Sequence, residues 1–176
     1  EKEIGSGIMP KKLDEIVLTL GFNVPFAHPS VLIRKDFLIK NNISYGKNGK
    51  KFAEDLDMWL CMFNQGAKFG NLNQKILLYR ILPQSLTRVN SKKISKEIEN
   101  QFQNFVRNNY QLYVNSLENK LKQNELNRHE QKIVLRALVS CRRINFNFSL
   151  HKKVLMKVNI INLIFILFSE VKKRIK

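Results

Sequence analysis

The amino-acid sequence predicts an α+β protein by content, mostly helical with a few short strands. Apolar residues recur at helical spacing over 52–66, 91–117 and 127–141, the pattern of amphipathic helices. Short apolar, β-branched runs at 30–34 and 75–81 have the length and composition of strands. Glycine, proline and asparagine clusters separate these stretches and mark the turns between them.

Residues 1–12 are polar, with Gly5, Gly7 and Pro10, and read as a loop. Leu13, Ile16, Val17 and Leu20 are spaced for a short helix, stopped by Gly21 and then Pro25. Residues 23–29 carry two prolines and lead irregularly into the first strand, 30–34 (SVLIR). Residues 35–41 read as a helical turn or two ending at Asn41-Asn42, and 44–51 (SYGKNGKK) as a basic loop. The stretch 52–66 is the best-marked helix. Leu56, Trp59, Leu60 and Phe63 fall at i, i+3, i+4 and i+7. Glu54, Asp55 and Asp57 crowd its first turn, where acidic groups complement the positive end of the helix dipole. Gly66 stands where a left-handed residue would close it. Residues 67–70 then read as a short strand and turn, and 75–81 (KILLYRI) as a second strand before Pro83.

The texture changes at Ser91. Ile94, Ile98, Phe102, Phe105, Asn109 and Leu112 trace one helical stripe, extended by Tyr113 and Leu117. Asn127 and Glu130 have the spacing of a capping box, ahead of a helix through Ile133, Val134, Leu138 and Cys141. In 149–176, Val154, Val158, Ile161, Phe165 and Phe168 line one face, flanked by Lys152, Lys153, Lys172, Lys173, Arg174 and Lys176. Its apolar run, 158–168, falls short of the roughly 20 residues a membrane-spanning helix needs. Two readings stay open for it: an interfacial helix on an anionic leaflet, or a terminal helix packed on the domain or on a second subunit. Helical amphipathicity does not separate them.

At 176 residues, with 44% apolar and 26% charged residues, the chain can bury a core, and wholesale disorder is excluded. Lys and Arg number 31 against 14 Asp and Glu, a net charge of +17 that draws polyanions without choosing among them. From residue 92 onward the counts are 18 and 6, so the excess lies mainly in the C-terminal half. Cys61 and Cys141 form no C-x-x-C pair, which argues against a disulfide framework or a zinc site. Both read as small core groups, in keeping with a reducing cytosol. The sequence holds no G-x-S-x-G elbow, no phosphate-cradling loop and no HExxH. A basic nucleic-acid-binding or purely structural helical module is the alternative to an enzyme. Nucleic acid is disfavoured because the aromatics fall at core spacing and no recognised motif is present.

Three motifs occur in order: HPSV-x-x-R at His28 to Arg34, then Tyr45 with EDLDMWL and Gly66, then LLYR at 77–80 with Ser85. Together they resemble the acceptor-side half of family-2 inverting glycosyltransferases of the GT-A fold, over roughly residues 13–90. The resemblance implies that 1–90 is the acceptor-side part, the C-terminal half, of an α/β GT-A-like catalytic domain. Residues 91–148 would then be a helical extension and 149–176 a basic amphipathic C-terminal helix. It implies a nucleotide-sugar donor and a saccharide or lipid-linked acceptor, as in surface polysaccharide or lipopolysaccharide synthesis. The catalytic base would be Asp55, with Glu54 beside it, while the same acids would serve equally as first-turn charges. His28, Trp59 and Arg80 would bind substrate, Trp59 either stacking on a sugar or packing in the core. Arg80 would pair with Asp55, Asp57 or a phosphate.

The D-x-D of Asp55 and Asp57 is not the metal-binding version, because residues two apart on a helix diverge by about 200°. Leu82 stands where the family often has a histidine, sometimes serving the metal, so no metal ligand is assigned in this chain. The divalent cation, magnesium or manganese, that the resemblance implies would be held by ligands outside it. The opening, from Glu1 to Gly7, reads as the interior of a longer chain. The donor-binding half is expected before it, and residues 1–176 alone are expected to be inactive. The location implied is cytoplasmic, peripheral on the inner face of the membrane.

Overall fold

In the computed structural model the chain is described over residues 9–49, 52–80, 82, 84, 85, 89–159, 163 and 164. Expectations for residues 1–7, Ile81, Thr87, Ile161, Phe165, Phe168 and the basic cluster at 172–176 lie outside these. The described residues hold seven α-helices: α1 (Leu13–Thr19), α2 (Lys35–Lys40), α3 (Glu54–Asn64), α4 (Ser91–Asn108), α5 (Tyr110–Leu121), α6 (Arg128–Ile144) and α7 (Phe148–Leu155). A single 3-10 turn, His28–Ser30, precedes α2. The protein is mostly helical.

The core is centred on α6, which packs on α1, α4, α5 and α7, while α1 also packs on α5 and α3 sits on α4. Buried residues run continuously from Ile16 to Val154, so the changes of texture at 90 and 148 do not interrupt the core. Its start is stitched to its end by polar contacts. The Tyr113 hydroxyl donates to the Leu18 carbonyl at 2.6 Å, and the Ser140 hydroxyl to the Gly21 carbonyl at 3.0 Å. Gly21 does more than stop α1. A Cβ there would lie 2.3 Å from the Tyr113 hydroxyl oxygen, so the close approach of this aromatic demands glycine.

One buried ion cluster joins three helices. The Lys120 ammonium is fully buried and lies 2.5 Å from Glu15 of α1 and 2.6 Å from Glu130 of α6. Burial alone would lower the Lys120 pKa, but hydrogen bonds and charge from Glu130 and Glu15 outweigh it and hold it above the ordinary 10.5. Glu130 feels the same contest. Burial pushes its pKa up, while Lys120 and the Asn127 amide bring it below the ordinary 4.5. The expected capping box is present, with the Asn127 side chain accepting from Glu130 N–H at 3.1 Å and Glu130 accepting from Asn127 N–H at 2.8 Å. Glu130 therefore caps α6 with one oxygen and binds Lys120 with the other. Cys141 is buried as expected, and burial pushes its thiol up to about 12. Cys61 is half-buried.

The structure corrects two expectations and decides between two readings of a third segment. First, 30–34, 67–70 and the described part of 75–81 are not strands; no strand occurs among the described residues. Val31 and Arg34 do have extended backbones, but no described backbone hydrogen bond joins either apolar run to a neighbouring segment. A strand exists only as part of a ladder. Second, the stripe from 91 to 117 is two helices, not one. They part at Asn109, whose side-chain amide donates to the Phe105 carbonyl at 3.1 Å and competes with the helical ladder. Leu112, expected in the stripe, is 47% exposed. Of the two readings open for 149–176, the described part follows the helix packed on the domain, because Val154 and Val158 face inward. Val154 is fully buried and Val158 packs against the core. Among the described residues no helix is long and apolar enough to cross a membrane.

Candidate functional site

Helix α3 is formed and closed as its sequence predicts. Gly66 adopts a left-handed φ of +77°. Its N–H reaches the Phe63 carbonyl at 2.9 Å, and the Ala67 N–H reaches the Met62 carbonyl at 3.0 Å, the paired bonds of a Schellman ending. Leu56, Met58, Trp59 and Met62 are buried. Leu60 and Phe63 pack half-buried, Phe63 edge-on to Phe105. The entry to the helix is strained. Ala53 is left-handed at φ +54°, a conformation that costs a residue with a Cβ on the order of 1 kcal/mol. Its carbonyl accepts from Asp57 N–H at 3.1 Å, which directs the chain into the first turn and sets where Glu54 and Asp55 emerge.

Around that turn gather residues from two earlier loops. His28, on the 3-10 turn, brings Nε2 to 2.9 Å from the Tyr45 hydroxyl. The two rings lie 5.3 Å apart, and His28 stands edge-on to Trp59 at 6.1 Å. Tyr45 lies in the field of the helix start: burial first, then the negative charges of Asp55 and Glu54, push its phenol pKa upward. The loop that carries Tyr45 is fastened by its own neighbour, since the Asn48 amide donates to Asp57 Oδ2 at 2.8 Å and to Cys61 Sγ at 3.2 Å. Gly46 and Gly49, both at positive φ, let the loop turn tightly enough to present Tyr45 and Asn48 to α3 together.

The predicted site residues divide. Asp55 is half-buried, with Oδ1 accepting from Leu56 N–H at 2.8 Å, and among the described residues it has no cationic partner. Glu54 beside it is exposed. Trp59, expected either to stack on a sugar or to pack in the core, is 2% exposed and does the latter. It packs edge-on to Phe26 at 5.7 Å and backs His28, and its buried indole N–H has no hydrogen-bond partner among the described residues. Arg80 stands exposed in the irregular stretch 75–80, and the ring and hydrogen-bond contacts that join His28, Tyr45 and Trp59 do not include it. Tyr45 and Asn48 received no role from sequence reasoning. The available signal was one aromatic residue in an otherwise polar, glycine-punctuated loop.

Asp55 and Asp57 take separate partners, the one its own helix backbone and the other Asn48. No group of three His, Cys, Asp or Glu side chains among the described residues is placed to hold a metal ion. The described residues around α3 therefore offer no ligand set for a cation. A shallow groove lined by Phe52, Lys93, Lys96, Glu97 and Asn100 opens near the start of α3, and its lining includes none of the His28 cluster. The cluster is thus an open surface: a carboxylate at a helix start, a phenol and an imidazole in hydrogen-bond contact, and a buried indole behind them. Such a set can accept a proton from a hydroxyl and orient it. No family model, curated protein or solved structure matches the chain.

Proposed function

We propose that this chain is the acceptor-side part of an inverting glycosyltransferase, with Asp55 as the general base. In the proposed step an acceptor hydroxyl gives its proton to the Asp55 carboxylate as its oxygen bonds to the anomeric carbon. The bond from that carbon to the nucleotide diphosphate breaks, and the diphosphate carries away the electron pair. Glu54 adds negative charge beside the base. His28 and Tyr45 hydrogen-bond the acceptor and hold its hydroxyl toward Asp55, because both are exposed and both exchange hydrogen bonds readily with sugar hydroxyls. Trp59 supports His28 from beneath.

One observation carries the reading. Asp55 is a half-buried carboxylate without a cationic partner among the described residues, at the start of a helix, and its charge reaches the phenol of Tyr45, which in turn contacts the His28 imidazole. The order of the HPSV, EDLDMWL and LLYR motifs supports the same choice. The donor nucleotide and its cation would belong to a preceding half.

The test uses the longest native form of the protein, supplied with nucleotide sugars and saccharide acceptors, with nucleotide diphosphate release followed. Asp55→Asn is expected to lower acceptor-dependent release by about 10²- to 10⁴-fold, the usual worth of a general base. Tyr45→Phe should act mainly on the KM for acceptor. Wild-type rates from Asp55→Asn would remove the assignment.

A further inference from the structure

Helix α7 has two apolar faces, and the core uses only one. Leu150 and Val154 point inward and are 1% and 0% exposed. On the opposite side, at helical spacing, stand Phe148 and Leu155, exposed by 73% and 49%, with Lys152 between them. Met156 follows at 77% and Phe146 precedes at 57%. These side chains form one patch. The Phe146 ring lies 4.5 Å from that of His151, on the same outer side of α7, and the Arg142 guanidinium lies 5.9 Å over Phe146. A single exposed apolar residue needs no explanation, but a contiguous set marks an interaction surface.

Charge identifies what this surface meets. The sequence has no acidic residue from Gln131 to Ser169. Lys153 binds Glu118 at 2.7 Å, and Lys157 donates to the Gln123 carbonyl at 3.0 Å, so these two lysines brace α7 against α5 and the loop after it. Arg142 and Lys152, by contrast, pair with no carboxylate among the described residues and stand among the exposed apolar side chains. A partner must therefore offer negative charge at its surface and an apolar layer just beneath. A second copy of this chain offers the wrong charge, at +17. A phosphodiester backbone would satisfy Arg142 and Lys152 and leave Leu155 and Met156 wet. An anionic lipid surface satisfies both sets, with aromatic and aliphatic groups at the acyl boundary and cations among the headgroups.

We propose that the outer face of α7, with Phe146 and Arg142, docks the protein on an anionic lipid surface. This surface is the reverse of the one that periodicity selects, because Val154 and Val158 are committed to the core. The inference stands apart from sugar transfer, and a non-catalytic chain would make the same contact.

The experiment is co-sedimentation of the full chain with vesicles of phosphatidylcholine alone or mixed with phosphatidylglycerol. Wild type should bind the mixed vesicles and not the neutral ones. Arg142→Gln with Lys152→Gln should weaken binding roughly fivefold per cation removed. Phe148→Ser with Leu155→Ser should weaken it by about tenfold or more. These side chains are exposed, so unchanged circular dichroism and unfolding midpoints will establish that the variants remain folded. As an independent reading, Phe148→Trp should shift its fluorescence to the blue on mixed vesicles, over the constant background of buried Trp59. Equal binding to both vesicle types, or binding that survives both double substitutions, would overturn the proposal. So would binding to random duplex DNA that the substitutions abolish while vesicles are ignored.

Discussion

Two regions of this molecule solve the same problem in opposite ways. From Ser91 to Leu155 the helices follow one another closely, and their apolar stripes meet inside the core. The one lysine taken into that core among the described residues is answered, Lys120 by Glu15 and Glu130. Between Asn23 and Arg80 the chain holds two short helices and much irregular backbone, and several large apolar side chains point outward. Leu32 is 101% exposed, Leu78 97% and Tyr79 68%. The two kinds of backbone have different needs. A helix satisfies its own backbone and asks its neighbours only to cover a stripe. An extended run satisfies its backbone only through a partner strand, and without one among the described residues it cannot be half-buried in a sheet. The candidate site lies where the two regimes meet. It rests on the core through Trp59 and Phe63, while the irregular region supplies His28 and Tyr45.

The helical core is most vulnerable at Lys120. Lys120→Ala removes a buried cation and leaves Glu15 and Glu130 uncompensated, which should cost about 3–5 kcal/mol by urea unfolding. The same cluster sets a pH dependence. Glu130 has a folded pKa below its ordinary 4.5, so its contribution is complete above that value and is lost as pH falls through the folded pKa. Lys120 has a folded pKa above 10.5, so its contribution persists below that value and disappears only as pH rises through the folded pKa. Stability should therefore hold a plateau between the two and fall at both ends, and Lys120→Ala should flatten both edges. A plateau unchanged in the variant would show that the cluster is not the source.

A smaller effect is expected where the core is tight without being charged. Gly21→Ala places a methyl group against Tyr113 and should cost about 1–3 kcal/mol, read as a lowered urea midpoint. Tyr113→Phe in the same background should recover part of the loss, because the hydroxyl oxygen is the nearest atom met. The smallest effect belongs to the irregular region. Leu78→Ser should change stability by less than about 0.5 kcal/mol, since the side chain is already in water. A loss of 2 kcal/mol or more there would mean that the outward residues are covered, and the contrast between the regions would collapse.

Much of the helical architecture was legible in the sequence, and the reason differs from helix to helix. Helix α3 carries its acidic start, its stripe and its closing glycine within fifteen consecutive residues, and α6 announces itself by a capping box. Both signals are local and survive whatever the rest of the chain does. The break at Asn109 was less legible, because asparagine can continue a helix or compete with it, and packing decides. The site was half legible. Asp55 can be placed from α3 alone, but its nearness to Tyr45 depends on how the loop at 44–49 folds back, which local propensity does not set.

Local pattern alone specifies most of the helical stretches, how α3 closes and how α6 begins, and composition makes the C-terminal half strongly basic. These are matters of local hydrogen bonding and composition. Long-range packing settled the rest: among the described residues the apolar runs at 30–34 and 75–80 form no ladder, Trp59 is closed to ligands, Lys120 is buried between two acids, and Leu150 and Val154 of α7 face the core. Each of these depends on which surfaces meet across a hundred residues or so, and neither periodicity nor propensity carries that information.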